Sequence, residues 1–362
     1  MRHSTVGIAL LLVLCMATQA AAKSNPFERP ASSPLAEGMD SRRLDAMMAV
    51  IAEQNARIDS PDTIDSVIVI RHGNVLLEAY PNPVYDVDCR HHLFSVTKSI
   101  TSLLMGIALE LELVGSVEDS ILDYFPDAVS ANEVQSKSRI SVAHMLTMSA
   151  GLEWDEDTLP TSHPDNSYYQ LERSSNPVSL VLGMPMVAEP GDLFWYNTGI
   201  SHVLGALIAK MSGMRLSDFA QEHLFAPLDI QSYQWTRDRT GLCKGGTQLY
   251  LAPRDLAKIG VLCLNGGMWD GEQIVPAAWL GESTRTHILG RPDYFSGRGY
   301  GYQWWTVDEM GVYYASGSQG QCLYIFPDDE LVVVFTGTIT AGDIFPDRLM
   351  LDYVLPALVV GE

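Results

Sequence analysis

The chain reads as an α/β fold in which both ends build one antiparallel sheet and a mostly helical region is inserted between them. Three observations carry this reading. Strand-like runs sit at both ends, SVIVIRHGNVLLEAY at 66–80 and, after Tyr300, GYQWWTV, GVYYAS, QCLYIF and ELVVVFTG. Between them, residues 116–295 alternate short apolar-periodic segments with Gly- and Pro-rich breaks. No repeat, low-complexity tract or linker divides the chain, so the terminal strands are expected in one central sheet, flanked by terminal helices and capped by the helical middle.

Residues 1–22 stand apart from that fold. Arg2 and His3 give a short basic start, and Val6 to Ala17 an apolar stretch too short to span a membrane. Ala20-Ala21-Ala22 supply the small residues of a cleavage site. The reading is a signal peptide on an exported chain, periplasmic or secreted, with Lys23 as the mature N-terminus. A lipoprotein through Cys15 fits less well, since Leu14 stands where a small residue belongs. Residues 23–362 then form one unit, with an α/β part at about 36–90 plus 296–360 and a helical part at about 91–295. Residues 40–57 suit an amphipathic helix, and 66–80 two strands joined at His72-Gly73-Asn74. The run SITSLLMGIALELELVG suits a buried helix closed at Gly115. Further helices are expected at 144–151, 199–213 and 251–267, a turn at Asp328-Asp329, and a closing helix at 343–359.

The 362-residue chain carries a formal charge of −21. That argues against nucleic acid and anionic membranes as partners, and no apolar run after the leader reaches membrane length. Four cysteines remain after the leader: Cys89, Cys243, Cys263 and Cys322. An exported protein permits two disulfides among them, in three pairings. The apolar setting of Cys263 and the strand setting of Cys322 favour free thiols for both. No Cys/His spacing matches a zinc site, so neither metal nor cofactor is expected.

The chemistry concentrates in three places. The first is Ser95-Val96-Thr97-Lys98, an S-x-x-K tetrapeptide at the start of the apolar helix. Residues three apart share one helix face, so Lys98 can hold its amine beside the Ser95 hydroxyl, which needs a base to become a nucleophile. The helix N-terminus disfavours a positive charge and helps Lys98 lose its proton. Six lysines give about 0.5 such matches by chance, so the motif needs its companions. The second place is PGDLFWYNTGISHVLG, 190–205, where Tyr196 lies in a loop before a helix. A phenol there is a proton shuttle if a nearby cation lowers its pKa, and otherwise a half-buried aromatic. The third is ASGSQGQCLYIFPDDELVVVFTG, 315–337. Its Gly317-Ser318-Gln319-Gly320 stretch lets a substrate approach a strand backbone, and an exposed N–H there, with that of Ser95, would form an oxyanion hole. His91 and His92 are close in sequence but read as structural, since neighbours in an extended segment point to opposite sides.

With these motifs the chain resembles the serine β-lactamase and penicillin-binding-protein superfamily, in which S-x-x-K marks the serine nucleophile. The closer likeness is to β-lactamase-related hydrolases: class C β-lactamases, family esterases, D-aminopeptidases and 6-aminohexanoate-dimer hydrolases. It spans about 40–358 and includes F-S-V-T-K-S, LTMSAGLEWDED, PGDLFWYNTG, LYLAPRDLAKIG with a following NGG, YGYQWW and SGSQGQ. The resemblance implies a β-lactamase/transpeptidase-like fold, Ser95 as acylated nucleophile, Lys98 as its basic partner and Tyr196 as the tyrosine of a Y-x-N motif. The Ser318 N–H would be the second oxyanion donor, beside that of Ser95. Asn197, Thr198, Ser316 and Gly317 fall at substrate-binding positions. Two departures matter. The third position of Y-x-N is Thr198, with Asn197 in the middle, and either residue would orient Lys98 or a substrate amide. Ala315 replaces the cation of K-T-G, which holds a β-lactam carboxylate in the family; only if nitrocefin proved the better substrate would an arginine elsewhere, such as Arg298, have to supply the missing charge.

The expectation is a secreted serine hydrolase of esterase or amidase type, acting through a Ser95 acyl-enzyme on a small ester, amide or short peptide. The alternatives are a D-Ala-D-Ala carboxypeptidase, D-aminopeptidase or β-lactamase, and a non-catalytic binding protein on the same fold. A nucleophile-elbow hydrolase lacks its G-x-S-x-G.

Overall fold

The computed structural model describes residues 24–58, 61–290, 298–340 and 344–359. The segment read as a leader, with its expected cleavage site, lies outside the described residues. Eight antiparallel strands form the main sheet: β1 (Thr63–Arg71), β2 (Asn74–Ala79), β3 (Ile288–Leu289), β4 (Gly299–Tyr300), β5 (Trp305–Val307), β6 (Val312–Gly317), β7 (Gln321–Phe326) and β8 (Leu331–Thr338), in the spatial order β2-β1-β8-β7-β6-β5-β4-β3. The two ends of the chain meet where β1 pairs with β8, Val67 opposite Phe335 and Val69 opposite Val333. β1 and β2 turn through His72 and Gly73, both at positive φ (50° and 75°), the two-residue geometry that matches strand twist. The edge strand β3 comes from within the region read as helical.

β1, β7 and β8 are buried along almost their whole length, which explains their unbroken runs of Val, Ile, Leu and Phe. Val67, Val69, Tyr314, Val333 and Phe335 face α1 (Ser41–Asn55), through Leu44, Met47 and Ile51, and the closing helical pieces Ile344–Leu349, Met350–Val354 and Leu355–Ala357. Ile68, Ile70, Ala315, Leu323, Val332 and Val334 face the helical region. There lie α2 (Val96–Glu110), α3 (Thr198–Ser212) and α4 (Pro253–Leu264). α2 is buried from Val96 to Ala108, its polar side chains Thr97, Lys98, Ser99, Thr101 and Ser102 included, as befits a central helix.

Helix ends depart from the sequence reading. α2 stops at Glu110, not at Gly115, because Glu112 takes a left-handed φ of 57° and the Leu113 amide bonds back to the Ala108 carbonyl at 2.9 Å. The helix expected at 144–151 is Val142–Leu146, cut off by Met148 at φ 57°. Of 251–267, Leu251 belongs to the short strand Leu249–Leu251 and α4 starts at Pro253, where proline's missing N–H costs nothing. Cys89, Cys243, Cys263 and Cys322 are all free thiols.

Candidate active site

Ser95 sits at the turn into α2. Phe94 before it has a positive φ of 47°, a strained conformation for a bulky residue that packing must hold. His92 supplies that packing, stacked on Phe94 at 3.7 Å and on Tyr250 at 4.8 Å, while the Leu93 amide bonds the Leu249 carbonyl at 2.9 Å. His91 points away into the core, against Tyr85 and Asp65. Ser95 occupies the N-cap position but makes no side-chain cap bond, so its hydroxyl is left for Lys98.

Lys98 is 1% exposed. Its Nζ lies 2.9 Å from each of Ser95 Oγ, Thr198 Oγ1 and the Gly246 carbonyl oxygen. A protonated amine donates to all three. A neutral amine has two protons and one lone pair. The Gly246 oxygen only accepts. The Thr198 hydroxyl spends its own proton on Glu156 Oε1 at 2.8 Å, so it also accepts from Lys98. Ser95 is the partner left to donate, and the free lone pair therefore faces its hydroxyl. Burial lowers the Lys98 pKa to about 8, against the opposing pull of Glu156 and Asp157.

Tyr196 lies against the same amine, with Lys98 Nζ 4.8 Å from its ring centroid, and its side chain hydrogen-bonds that of Ser95. The condition set for a shuttle phenolate is not met. Burial, reinforced by Glu156, raises its pKa well above the usual phenol value; the Ser95 bond and Arg298 only partly offset this. Tyr196 is thus a neutral phenol, and of the two Lys98 is the group able to accept a proton. Trp305 stacks on the ring at 5.9 Å, and Arg298 lies 3.4 Å over the face of Trp305.

Thr198, not Asn197, meets Lys98. Asn197 is 1% exposed and its side-chain Oδ1 caps α3 by accepting from the Ile200 amide at 3.0 Å. Gly317 ends β6 against the Ser95 turn: a Cβ there would lie 2.3 Å from the Leu93 oxygen and 3.0 Å from the Ser95 nitrogen, so only glycine fits. Ser318 follows, exposed at the sheet end. Among the described residues neither the Ser95 nor the Ser318 amide makes a loop or turn hydrogen bond to a backbone carbonyl. Ser316 alternates to the face opposite Gly317, and among the described residues no hydrogen bond joins its hydroxyl to Ser95, Lys98 or Tyr196. Ala315 is 1% exposed and packs in the core, so no cation occupies its place.

Two contributors escaped the sequence reading. Glu156 accepts from the Thr198 amide at 2.9 Å, the Thr198 hydroxyl and the Trp154 indole. Its only signal was a short threonine where the motif has asparagine, since Asp155 and Asp157 beside it look alike. Gly246 was signalled by the Gly245-Gly246 pair, a mark of close backbone approach. A separate cavity of about 470 Å³, lined by Ala206, Lys210, Met214, Leu216, Leu242 and Cys243, lies at the other end of α3.

The family model described as Beta-lactamase matches residues 64–352. The 6-aminohexanoate-dimer hydrolase of Paenarthrobacter ureafaciens is 26% identical over 307 residues, covering 81% of this chain and 76% of that protein. Among solved structures, a family VIII carboxylesterase superposes with a TM-score of 0.68 at 15% identity, over 91% of this chain and 98% of that one. A D-stereospecific amidohydrolase from Streptomyces gives 0.66 at 15%, over 85% and 98%. At such identities the structural likeness speaks to the fold alone.

Proposed function

We propose that this chain, which belongs to the β-lactamase family of serine hydrolases, hydrolyses a small neutral ester or amide through an acyl-enzyme on Ser95. One observation carries the reading: Lys98 is buried with its Nζ 2.9 Å from each of Ser95 Oγ, Thr198 Oγ1 and the Gly246 oxygen, so that the neutral amine would turn its lone pair to the Ser95 hydroxyl. A lysine so placed is costly to a fold and useful to a base, which disfavours a non-catalytic binding protein.

In the proposed cycle Ser95 Oγ bonds the substrate carbonyl carbon as its proton passes to Lys98. The displaced carbonyl electrons settle on the oxygen, held by the Ser95 and Ser318 amides. Collapse breaks the bond to the leaving group, which takes its proton from Tyr196; Lys98 returns a proton to the phenol. Water then attacks the acyl ester as Lys98 accepts its proton; collapse breaks the bond to Ser95 Oγ, Lys98 returns the proton to that oxygen, and the acid is released with Ser95 and Lys98 restored. The leader at 1–22 supports work outside the cytoplasm.

The proteins of similar fold include both an amidohydrolase and a carboxylesterase. The neutral preference follows from Ala315, which leaves K-T-G without its cation. A charge-assisted hydrogen bond contributes about 1.5–3 kcal/mol, or roughly 10–150-fold. The same gap counts against a D-Ala-D-Ala carboxypeptidase, whose substrate also ends in a carboxylate. A lysine at 315 is no test, because the position is buried. The test is kcat/KM for short p-nitrophenyl esters against nitrocefin: the esters are expected to be faster by at least that factor, and faster nitrocefin turnover would overturn the preference.

A further inference from the structure

The loop between the short strands Tyr233–Trp235 and Leu249–Leu251 brings the Gly246 carbonyl to Lys98. It runs tight along α3. A Cβ at Gly245 would lie 2.4 Å from the Ser201 oxygen, and one at Gly246 2.7 Å from the Thr198 oxygen. Gly245 also accepts from the Thr101 hydroxyl at 2.6 Å. Two pins hold this loop. At one end the Asp238 carboxylate takes a 2.9 Å bond from His202 Nε2, one turn past Thr198 on α3, and further bonds from the Thr240 and Leu242 amides. At the other, Lys244 reaches the carboxylate of Glu172, on the short helix Ser167–Arg173, and Gln248 Oε1 at 3.1 Å; its own carbonyl accepts from the Trp235 indole at 2.9 Å. Lys244 is 8% and His202 2% exposed. The space enclosed by these groups with Tyr168 and Thr198 is about 10 Å³, room for about one water.

We infer that the Glu172–Lys244 and Asp238–His202 pairs, buried at Lys244, Asp238 and His202 and partly exposed at Glu172, are a clasp that positions the Gly246 carbonyl and, through it, the Lys98 amine. This rests on Lys98 being the base of the proposed reaction. Breaking a buried pair leaves an unpaired charge, so the clasp holds the carbonyl in place or fails outright. Lys98 is faced by Glu156 and Asp157 from one loop, by Tyr196 ahead of α3, and by the Lys244 segment from behind. Weakening the last removes an acceptor for the charged amine and lowers its pKa.

The experiment compares Glu172→Gln and Glu172→Asp with wild type on a neutral p-nitrophenyl ester across pH. Both variants are expected to lose about tenfold in kcat with KM within about twofold, and the acid limb of the pH profile, near 8 in wild type, is expected to move down. The aspartate keeps the charge but cannot reach Lys244, so wild-type behaviour of Glu172→Asp would mean that charge alone acts and would overturn the clasp. If either variant melts early, Asp238→Asn at the other pin carries the same expectation. Unchanged kcat and pH limb in these variants, with Ser95→Ala inactive, would sink this inference and leave the proposed reaction standing; activity in Ser95→Ala would sink the reaction itself.

Discussion

Two segments border Ser95, Tyr196–Thr198 and the end of β6 at Ala315–Ser318, and each departs at one position from the motif it resembles. In the first, threonine stands where the family has asparagine, and the structure compensates. Glu156 grips both the amide and the hydroxyl of Thr198, so the shorter side chain still presents a fixed acceptor to Lys98. In the second, alanine stands where the family has a cation. Ala315 faces the core between Tyr313 and Leu323, and nothing in its own motif restores the charge. The difference separates two kinds of constraint. An acceptor that orients the base serves every turnover, so its loss must be made good from elsewhere. A cation that holds one kind of substrate can go when the substrate lacks the matching anion.

The largest break of the first segment is Tyr196→Phe. It removes the proposed proton donor to the leaving group while leaving the ring on Trp305, and kcat on the best ester is expected to fall by roughly 10²–10⁴. Rates within a few-fold of wild type would show that the phenol is only packing. Gly317→Ala breaks the second segment by pushing the Ser95 turn away from β6. Loss of one oxyanion donor corresponds to about 10²–10³ in kcat, to be measured beside an unchanged circular dichroism spectrum. Glu156→Gln is the mildest and sharpens the contrast. It keeps the shape but removes a charge that raises the Lys98 pKa, so the acid limb should move below 8; kcat should fall about tenfold as Thr198 loosens. The sign is fixed by the base, since activity needs the neutral amine and rises with pH through its pKa. An upward shift would mean that Glu156 does not act on Lys98.

Much of this arrangement was legible because it is local. Ser95 and Lys98 share one helical turn, and the strands around 66–80 and 311–337 announce themselves by β-branched runs. What stayed hidden depends on contacts across the fold. Nothing local distinguishes Glu156 from its acidic neighbours; only the approach of Thr198, 42 residues on, selects it. The Gly246 carbonyl reaches Lys98 from 148 residues away as a backbone atom, which carries no sequence signature of its own. The misplaced ends at Gly115 and 144–151 share another cause. Glu112 and Met148 take left-handed conformations that propensity assigns to glycine, and tertiary packing overrides it.

The central claim is that Ser95 becomes acylated. A fluorophosphonate probe followed by peptide mass spectrometry tests it directly. The account predicts a single modified peptide carrying the adduct on Ser95, labelling that rises with pH as Lys98 loses its proton, and no adduct in Ser95→Ala. An adduct on another residue, or turnover of the best substrate with Ser95 replaced, would contradict it.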